Sequence, residues 1–420
     1  MAANHTLGID FGTSNSAAGF MRDNAPKLVE FAPAQTTLPT AFFFDFATRK
    51  TLIGQTANAA LIDGLEGRYM RALKRVLGKP IMHEKRRILN ETVTFVDIIA
   101  RFLRQMKEQA EATSGHQFDN VLSGRPVHFH DEGAVLDAKA EDDLRQCYLA
   151  AGFKDVRFMA EPEAAAVSVR KPLSGAKLGL VVDIGGGTSD FSLFETVQGG
   201  GVNIIANHGI RIGGTDFDRS VSIDHVMPLL GKGAMLRKHL GEGTLAAPSG
   251  IFNDLATWEK IAFIYGADTV QMVDEMHKLA VEPAKFKRLA TALEFQLGHD
   301  IAFAVEQGKI DANGANSGSA KIDLGVLEPN LAADLSAEAL NASIATNVAA
   351  IRACALETMQ IADVSKDRVG RIIFVGGSSL TSAITTALQA EFPEAECVFS
   401  EVFTAVTNGL AIAASTGQGA

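Results

Sequence analysis

The chain has 420 residues, a formal net charge of −10 and 47% hydrophobic residues. This length exceeds what one compact core usually needs, so we expect two lobes. An acidic chain without a long Lys/Arg block is a poor candidate for binding nucleic acid or an anionic membrane. Three cysteines, no secretory leader and no apolar run of about 20 residues predict a cytoplasmic protein without disulfides or a membrane span.

The first predicted element is a strand, turn and strand over residues 7–16, which read LGIDFGTSNS. Its apolar run ends in Asp10, and Gly12, Thr13, Ser14 and Asn15 form the turn. Glycine lets backbone N–H groups approach a phosphate closely, and hydroxyl side chains add donors. A carboxylate at a strand end can hold magnesium, usually through the water shell of the ion. The segment therefore predicts a phosphate-binding turn.

The next predicted elements are a hydrophobic strand over 42–44 and two helices. The first helix covers 69–77, with Leu73, Val76 and Leu77 on one face, and Gly78 and Pro80 end it. Lys74 on this helix is either a functional cation or a surface lysine whose stem lies along apolar neighbours. The second helix covers 95–112 and has a regular apolar stripe.

A strand over 121–129 is interrupted by Pro126, and a helix over 138–151 ends at Gly152. Glu161 and Pro162 then open a helix of small residues, because proline suits the first helical position and small side chains allow a close helix crossing. The pattern of the first residues restarts near Leu178. We therefore predict a first lobe over 1–176, completed by a C-terminal helix within 401–420, and a second lobe over 177–400.

The second lobe begins with a copy of the first motif. Residues 181–190 read VVDIGGGTSD, with Asp183 at the strand end, Gly185, Gly186, Gly187 and Thr188 in the turn, and Asp190 beyond it. One such motif could be an ordinary hairpin turn, but two matched motifs favour phosphate binding. They predict a duplicated α/β fold in which two phosphate turns face one nucleotide. Neither motif is a Walker loop, since no Gly-Lys-Ser/Thr follows, and a strand after the first turn excludes a dinucleotide fingerprint.

Further along, Gly213 and Gly214 lie in a glycine turn before a helix start, and residues 285–310 are predicted to be helical. A buried strand over 371–375 leads through Gly376, Gly377 and Ser378 to a helix N-terminus, where free N–H groups favour an anion. These glycines would also let a ribose and a base lie flat against the backbone. The last predicted helix covers 404–414 and is rich in small residues.

In this order the motifs resemble the actin-like ATPase superfamily of sugar kinases, actin and the seventy-kilodalton heat-shock proteins. The chain looks closest to the nucleotide-binding domain of DnaK-type chaperones, and among them to the short YegD-type members. The resemblance implies a two-lobed fold of duplicated ribonuclease H-like domains with a central nucleotide cleft. It is carried by six segments along the chain, namely 10–16, 73–78, 161–167, 183–190, 213–218 and 375–379.

The resemblance also implies ligands and roles. ATP or ADP would bind with magnesium, and potassium is an additional candidate. Thr13 and Thr188 would contact the β- and γ-phosphates, while Lys74 would reach the γ-phosphate and the attacking water. Glu161 would orient water and magnesium, with Asp10, Asp183 and Asp190 around the cations. Gly376 and Gly377 would lie along the ribose and α-phosphate, Ser378 near adenine, and Pro126 would be the switch proline.

Two departures from the family pattern affect the expectations. The adenine-stacking helix of the family matches here at Glu306 and Lys309, but Ile310 replaces the stacking arginine. The segment after Pro126 also differs from the switch of the family. The chain ends at Ala420, so we expect no peptide-binding domain, and a monomer that acts on a protein client or co-chaperone.

We therefore predict a slow, magnesium-dependent ATPase that acts as a nucleotide-controlled switch on a protein partner. An actin-like filament-forming ATPase is an alternative, although the setting of Lys74 and the presence of Asp190 favour the switch. A small-molecule kinase would need a catalytic Asp for a substrate hydroxyl, and the sequence offers no clear candidate. A nucleotide sensor with little turnover is a further alternative, which Ile310 keeps open.

Overall fold

The structure is a computed structural model that describes residues 5–130, 133–168, 178–197, 202–314, 319–399 and 404–416. It has the mixed α/β architecture predicted from the sequence. Its strands are β1 (Thr6–Asp10), β2 (Asn15–Arg22), β3 (Ala25–Leu28), β4 (Thr37–Pro39), β5 (Ala41–Asp45), β6 (Thr51–Ile53), β7 (Gly67–Arg71), β8 (Arg86–Ile88), β9 (Glu91–Val93), β10 (Asn120–Arg125), β11 (Asp155–Ala160), β12 (Leu178–Ile184), β13 (Ser189–Thr196), β14 (Val202–Ile210), β15 (Met235–Arg237), β16 (Thr244–Ala246), β17 (Ser319–Asp323), β18 (Ala332–Ser336), β19 (Val369–Val375) and β20 (Glu396–Phe399).

The helices lie between these strands, and α6 to α9 follow one another without a strand between them. They are α1 (Gln55–Ile62), α2 (Phe95–Ser114), α3 (Ala134–Ala151), α4 (Glu161–Ser168), α5 (Gly214–Val221), α6 (Gly250–Leu255), α7 (Ala267–Leu279), α8 (Pro283–Glu294), α9 (Gly298–Gly314), α10 (Ala337–Ile361), α11 (Ser382–Glu391) and α12 (Ala405–Thr416). Short 3-10 turns cover Leu73–Val76 and Gly377–Leu380, two of the segments with predicted site residues.

Two large sheets have the same topology, which confirms the duplication predicted from the paired motifs. The first has the order β11-β10-β1-β2-β3, with β4 as a sixth strand that also pairs with β2, and the second has the five-strand order β14-β13-β12-β19-β20. In each, the first strand of the motif pairs antiparallel with the next strand and parallel with a later one. The turns after Asp10 and Ile184 therefore occupy equivalent positions in the two sheets.

Local sequence explains why the best-predicted helix forms. Thr94 caps α2 in a capping box with Asp97, and Gly115 ends the helix in the left-handed conformation. The predicted apolar stripe of α2 is buried and includes Phe102, which packs against Phe11 and Phe42. The helix thus packs against Phe11, the residue between β1 and the first glycine turn.

Helices α4 and α12 pack with almost no separation between their backbones. A Cβ atom at Gly409 on α12 would lie 1.7 Å from the carbonyl oxygen of Ala164 on α4. On another side of α12, a Cβ at Gly8 on β1 would lie 2.8 Å from the backbone nitrogen of Ala411. Only glycine fits at these positions, so α12 is packed directly against both α4 and the first strand.

Two helix predictions are wrong in detail. Residues 69–77 do not form a helix, because Tyr69 and Met70 pair with Phe43 and Phe42 in the sheet of β5 and β7. Only the 3-10 turn Leu73–Val76 remains, so tertiary pairing overrides the local helical pattern. The helical stretch over 285–310 is two helices, α8 and α9, because Gln296 has a positive φ of 54° between them.

The chain divides into two compact units. One comprises residues 1–60, 65–214 and 348–420 and contains both large sheets, and the other comprises 61–64 and 215–347. The predicted lobe boundary at 176 lies outside the described residues, as do 401–403 and 417–420 of the predicted C-terminal segment. The division into lobes at that boundary stays a prediction.

One described helix, α10, is long and apolar enough to cross a membrane, although the sequence predicts no span. A single helix of this kind is weak evidence for a span, because core helices of water-soluble proteins meet the same description. Polar side chains of α10 also have protein partners. Arg352 forms an ion pair with Glu391, and Glu357 lies 3.0 Å from Nε2 of His208.

Candidate functional site

The two glycine turns lie against each other within the larger unit. A Cβ atom at Gly186 would lie 2.4 Å from the Ser14 hydroxyl, and one at Gly187 would lie 2.7 Å from the Thr13 hydroxyl. The absence of side chains in the second turn is therefore what lets the hydroxyl side chains of the first turn approach it. The structure thus brings together Thr13 and Ser14 from one motif with the glycines of the other.

Each turn is also held by its own hydrogen bonds. The amide of Gly12 donates to the Ser16 hydroxyl at 3.2 Å, and the amide of Gly185 donates to the Thr188 carbonyl at 3.0 Å. A Cβ at Gly12 would be only 2.0 Å from the carbonyl oxygen of Asn15. The turns are therefore tight, with side-chain bulk excluded from the first turn by its own backbone.

Three carboxylates lie beside these turns. Asp183 and Asp190 face each other directly across the antiparallel pair of β12 and β13, so their side chains lie on one face of the sheet. Asp10 ends β1 at the equivalent position of the first sheet. One oxygen of Asp190 accepts the Val127 amide at 2.6 Å, which connects the segment after Pro126 to the second turn.

A buried ion pair completes the cluster. Nζ of Lys74 lies 2.6 Å from Oε1 of Glu161, and the two side chains are 7% and 10% exposed. Lys74 is therefore not a surface lysine. Glu161 is the first residue of α4, and a Cβ at Gly124 would touch the Cγ of Glu161 at 3.1 Å and Oδ1 of Asp10 at 3.7 Å. Glu161 and Asp10 thus flank the same backbone position.

The crowding of negative groups changes their protonation. Burial and the charge of Glu161 raise the pKa of Asp10 to about 7 and that of Asp190 to about 7. The pKa of Asp183 is raised well above its ordinary value by burial and by Glu161 and Asp190. Burial by itself would lower the pKa of Lys74, but Glu161 and Asp10 raise it above its ordinary value. The site therefore favours an added positive charge.

A magnesium ion fits this chemistry best through water. Oδ2 of Asp190 is buried and has no hydrogen-bond partner among the described residues. No three His, Cys, Asp or Glu side chains of the described residues are close enough to hold a metal ion directly. Because magnesium keeps several of its waters in protein sites, Asp10, Asp183 and Asp190 would hold the ion mainly through its hydration shell.

The third glycine segment joins this group. Gly376 follows β19 with a φ of 80°, and a Cβ there would lie 2.9 Å from Oδ1 of Asp183. A Cβ at Gly213 would lie 2.5 Å from the amide nitrogen of Gly187, and one at Gly214 would lie 2.3 Å from the Ser378 hydroxyl. Gly377 begins the 3-10 turn beside Ser378. The backbone at Gly213, Gly214 and Gly376 therefore packs closely around the second glycine turn.

Two predicted residues lie in the other unit. Glu306 and Lys309 are on α9, where Nζ of Lys309 lies 2.6 Å from Oδ1 of the buried Asp218. The indole of Trp258 also donates to Asp218 at 3.1 Å. Ile310 is 55% exposed on the same helix. Lys309 is therefore already paired with the carboxylate of Asp218, and this pairing was not predicted from the sequence.

Several residues that hold the segment of Lys74 were not predicted from the sequence. Buried Asp143 on α3 accepts the Gly78 amide at 2.8 Å, and its other oxygen lies 2.7 Å from Nε2 of His83. Nε2 of buried His130 lies 2.6 Å from the Leu77 carbonyl. No local pattern marks these residues, because their partners are at least 53 positions away in the chain.

Comparisons with known proteins agree with this arrangement. A sequence model of the Hsp70 protein family matches residues 6–236. The chaperone protein DnaK of Thermosipho africanus (strain TCF52B) is 30% identical over 220 residues, which are 52% of this chain and 35% of that protein. The match thus spans about a third of the length of this curated relative. Since the family match covers more than half of the chain, the chain belongs to the Hsp70 family, with a DnaK-type nucleotide-binding domain of the actin-like ATPase superfamily.

Proposed function

We propose that the chain binds ATP with magnesium at the cluster of Asp10, Lys74, Glu161 and the two glycine turns, and that it hydrolyses ATP slowly. The observation that carries this proposal is the contact of the two turns, with Gly186 and Gly187 packed against Thr13 and Ser14. Equivalent turns of two topologically matched sheets can present backbone N–H groups and hydroxyls to one chain of phosphates. The match to the Hsp70 family supports the same ligand.

The chemistry would be phosphoryl transfer to water by positioning and electrostatics. Magnesium, when bound, supplies positive charge that offsets the charge of the phosphates. Lys74 supplies a second fixed positive charge, and its ion pair with Glu161 orients its ammonium group. Thr13 and Thr188 offer hydroxyl donors to the β- and γ-phosphates, and Glu161 is an acceptor for a water proton.

The biological role that follows is a nucleotide-controlled switch on a protein client or co-chaperone. A physical link supports it, because the amide of Val127, next to Pro126, donates to Asp190 in the cluster. A change in the charge around Asp190 would therefore reach the segment after β10. A sensor with little turnover is the second candidate, and exposed Ile310 at the position of the stacking arginine favours it.

The test combines calorimetry and phosphate release on the purified chain. We expect ATP and ADP to bind only when magnesium is present, and we expect slow phosphate release that Lys74→Ala abolishes. Lys154→Ala is the matched control, since the Lys154 side chain is 75% exposed. If the chain binds nucleotide but its turnover equals that of Lys74→Ala, the nucleotide sensor is the remaining candidate. If the chain binds no nucleotide, both candidates are rejected. If light scattering in the presence of ATP rises with protein concentration, the chain would instead be an actin-like filament-forming ATPase.

A further inference from the structure

The segment that carries Lys74 has little regular structure of its own. Ala72 before it has a left-handed φ of 61°, the 3-10 turn covers only Leu73–Val76, and Gly78 has a φ of 80°. A turn of four residues has few internal hydrogen bonds, so its position depends on what holds its ends. The ammonium of Lys74 therefore needs an external anchor to stay against Glu161.

One such anchor is on α3, outside the nucleotide cluster, beside the bond that the Arg211 guanidinium donates to the Arg75 carbonyl at 2.6 Å within the turn. Asp143 is 1% exposed, and its two oxygens bind the Gly78 amide at 2.8 Å and the His83 ring at 2.7 Å. Gly78 lies just before the short 3-10 turn Pro80–His83, and His83 is the last residue of that turn. Asp143 thus joins the end of the Lys74 turn to the turn that follows it.

A second contact from the same side supports the anchor. The ring of His130 lies against the Leu77 carbonyl, one residue before Gly78. A Cβ at Gly78 would lie 2.9 Å from Nε2 of His130 and 2.9 Å from the Leu136 carbonyl of α3. The backbone at 77–78 is therefore seated closely on α3, with Asp143 as its charged acceptor.

A buried carboxylate is costly unless its oxygens are satisfied by hydrogen bonds. Both oxygens of Asp143 are satisfied, one of them by a backbone amide four residues after Lys74. An apolar residue at position 143 would be easier to bury. The hydrogen bonds that hold the segment of Lys74 therefore explain why an aspartate occupies this position. We propose that Asp143 is a positioning residue that holds the turn of Lys74, so that the ammonium group stays against Glu161. The proposal rests on the proposed ATPase function, although its main test does not.

The main test measures the accessibility of Lys74 by competitive acetylation and mass spectrometry of the intact chain. Lys154, which is 75% exposed, serves as the internal standard. We expect Asp143→Ala to raise the acetylation rate of Lys74 severalfold relative to Lys154. The matched control is Asp142→Ala on the same helix, because Asp142 is exposed and its contact is with Gln146. The control is expected to leave both rates unchanged.

Asp143→Asn is the conservative variant, since its amide oxygen can still accept the Gly78 N–H. It should restore most of the protection of Lys74, which a general loss of packing would not do. In phosphate release, Asp143→Ala should lower kcat by about tenfold to a hundredfold, while ADP affinity stays within about twofold. A lower kcat with nearly unchanged ADP affinity is the result expected when the ammonium group of Lys74 is misplaced.

Unchanged acetylation of Lys74 in folded Asp143→Ala would overturn the proposal. If Asp143→Ala does not fold, Asp143→Leu replaces it, because leucine fills a similar volume and cannot accept the Gly78 N–H. Unchanged protection of Lys74 in folded Asp143→Leu would then overturn the proposal. If the wild-type chain hydrolyses no ATP, the proposed function fails, but the acetylation result still decides the role of Asp143.

Discussion

Lys74 and Glu161 are 87 positions apart in the chain, and their charged atoms lie 2.6 Å apart in a buried pair. The pair links a four-residue turn to the first residue of α4. Neither residue lies in a glycine motif, yet both adjoin the carboxylates that the motifs supply. The pair therefore places one positive charge beside the carboxylates of both glycine motifs.

Removing Lys74 should damage both turnover and stability. In Lys74→Ala the buried Glu161 loses its partner, and the free energy of unfolding should fall by about 3–5 kcal/mol. Loss of the fixed charge should lower kcat about 100-fold or more. Urea denaturation and phosphate release measure the two effects. The double variant Lys74→Met with Glu161→Gln should cost less stability than the sum of the single variants, and strict additivity would contradict the coupling.

Removing the Thr188 hydroxyl should affect turnover more than binding. Thr188→Ala keeps the glycine backbone of the turn and removes only one donor beside Asp190. We expect a clear fall in kcat with ATP affinity changed by less than about threefold, since backbone N–H groups carry most phosphate contacts. Calorimetry and single-turnover phosphate release give both numbers. Thr92→Ala on exposed β9 is the control. An equal loss of kcat and of ATP affinity in Thr188→Ala would refute the role of Thr188 as a phosphate donor in turnover.

The nucleotide-free protein should lose stability as pH rises through 7. In the folded state the pKa of Asp10 and that of Asp190 are raised to about 7 by burial and Glu161, against 3.8 in an ordinary setting. The folded state thus keeps protons that the unfolded chain releases between these values, and this stabilisation is complete below 3.8 and lost through about 7.

Thermal unfolding in EDTA measures this effect. The Tm should be higher at pH 5.5 than at pH 8, and magnesium with ADP should reduce the difference. Asp190→Asn, which imitates the protonated acid, should flatten the profile, whereas Asp119→Asn on the surface should not. Parallel profiles for the wild type and Asp190→Asn would show that the carboxyl of Asp190 titrates normally.

Two glycines of one turn should differ in their tolerance of alanine. Gly186→Ala would place a Cβ 2.4 Å from the Ser14 hydroxyl, whereas Gly185→Ala would meet its nearest atom only at 3.9 Å. Overpacking typically costs about 1–3 kcal/mol, so Gly186→Ala should lower the free energy of unfolding by about that amount. Gly185→Ala should cost clearly less. Equal costs in chemical denaturation would mean that the two turns are not in contact.

Sequence patterns predicted those parts of the fold whose cause is local. The duplicated strand-turn-strand motif and α2 follow from glycine spacing, an apolar stripe and a capping box, all readable within about 20 residues. Residues 69–77 were wrongly predicted because Tyr69 and Met70 find partners in β5, about 27 positions earlier. Local helical periodicity could not reveal that pairing.

The same limit applies to the site. The carboxylates and glycines at the ends of β1 and β12 could be predicted, because the motif repeats in the sequence. The anchors at Asp143, His83 and His130 could not be, since each acts through a contact across at least 53 positions. The pairing of Lys309 with Asp218 was missed for the same reason, as 91 positions separate them.

The packing of α12 has a consequence for synthesis. Strand β1 leaves the ribosome long before α12, but its Gly8 lies against the backbone of Ala411, and α4 lies against Gly409. Both contacts need residues that are translated long after β1 and α4. The first sheet must therefore wait with one apolar side uncovered until α12 has been translated, and release of α12 from the ribosome is the event that allows its core to close.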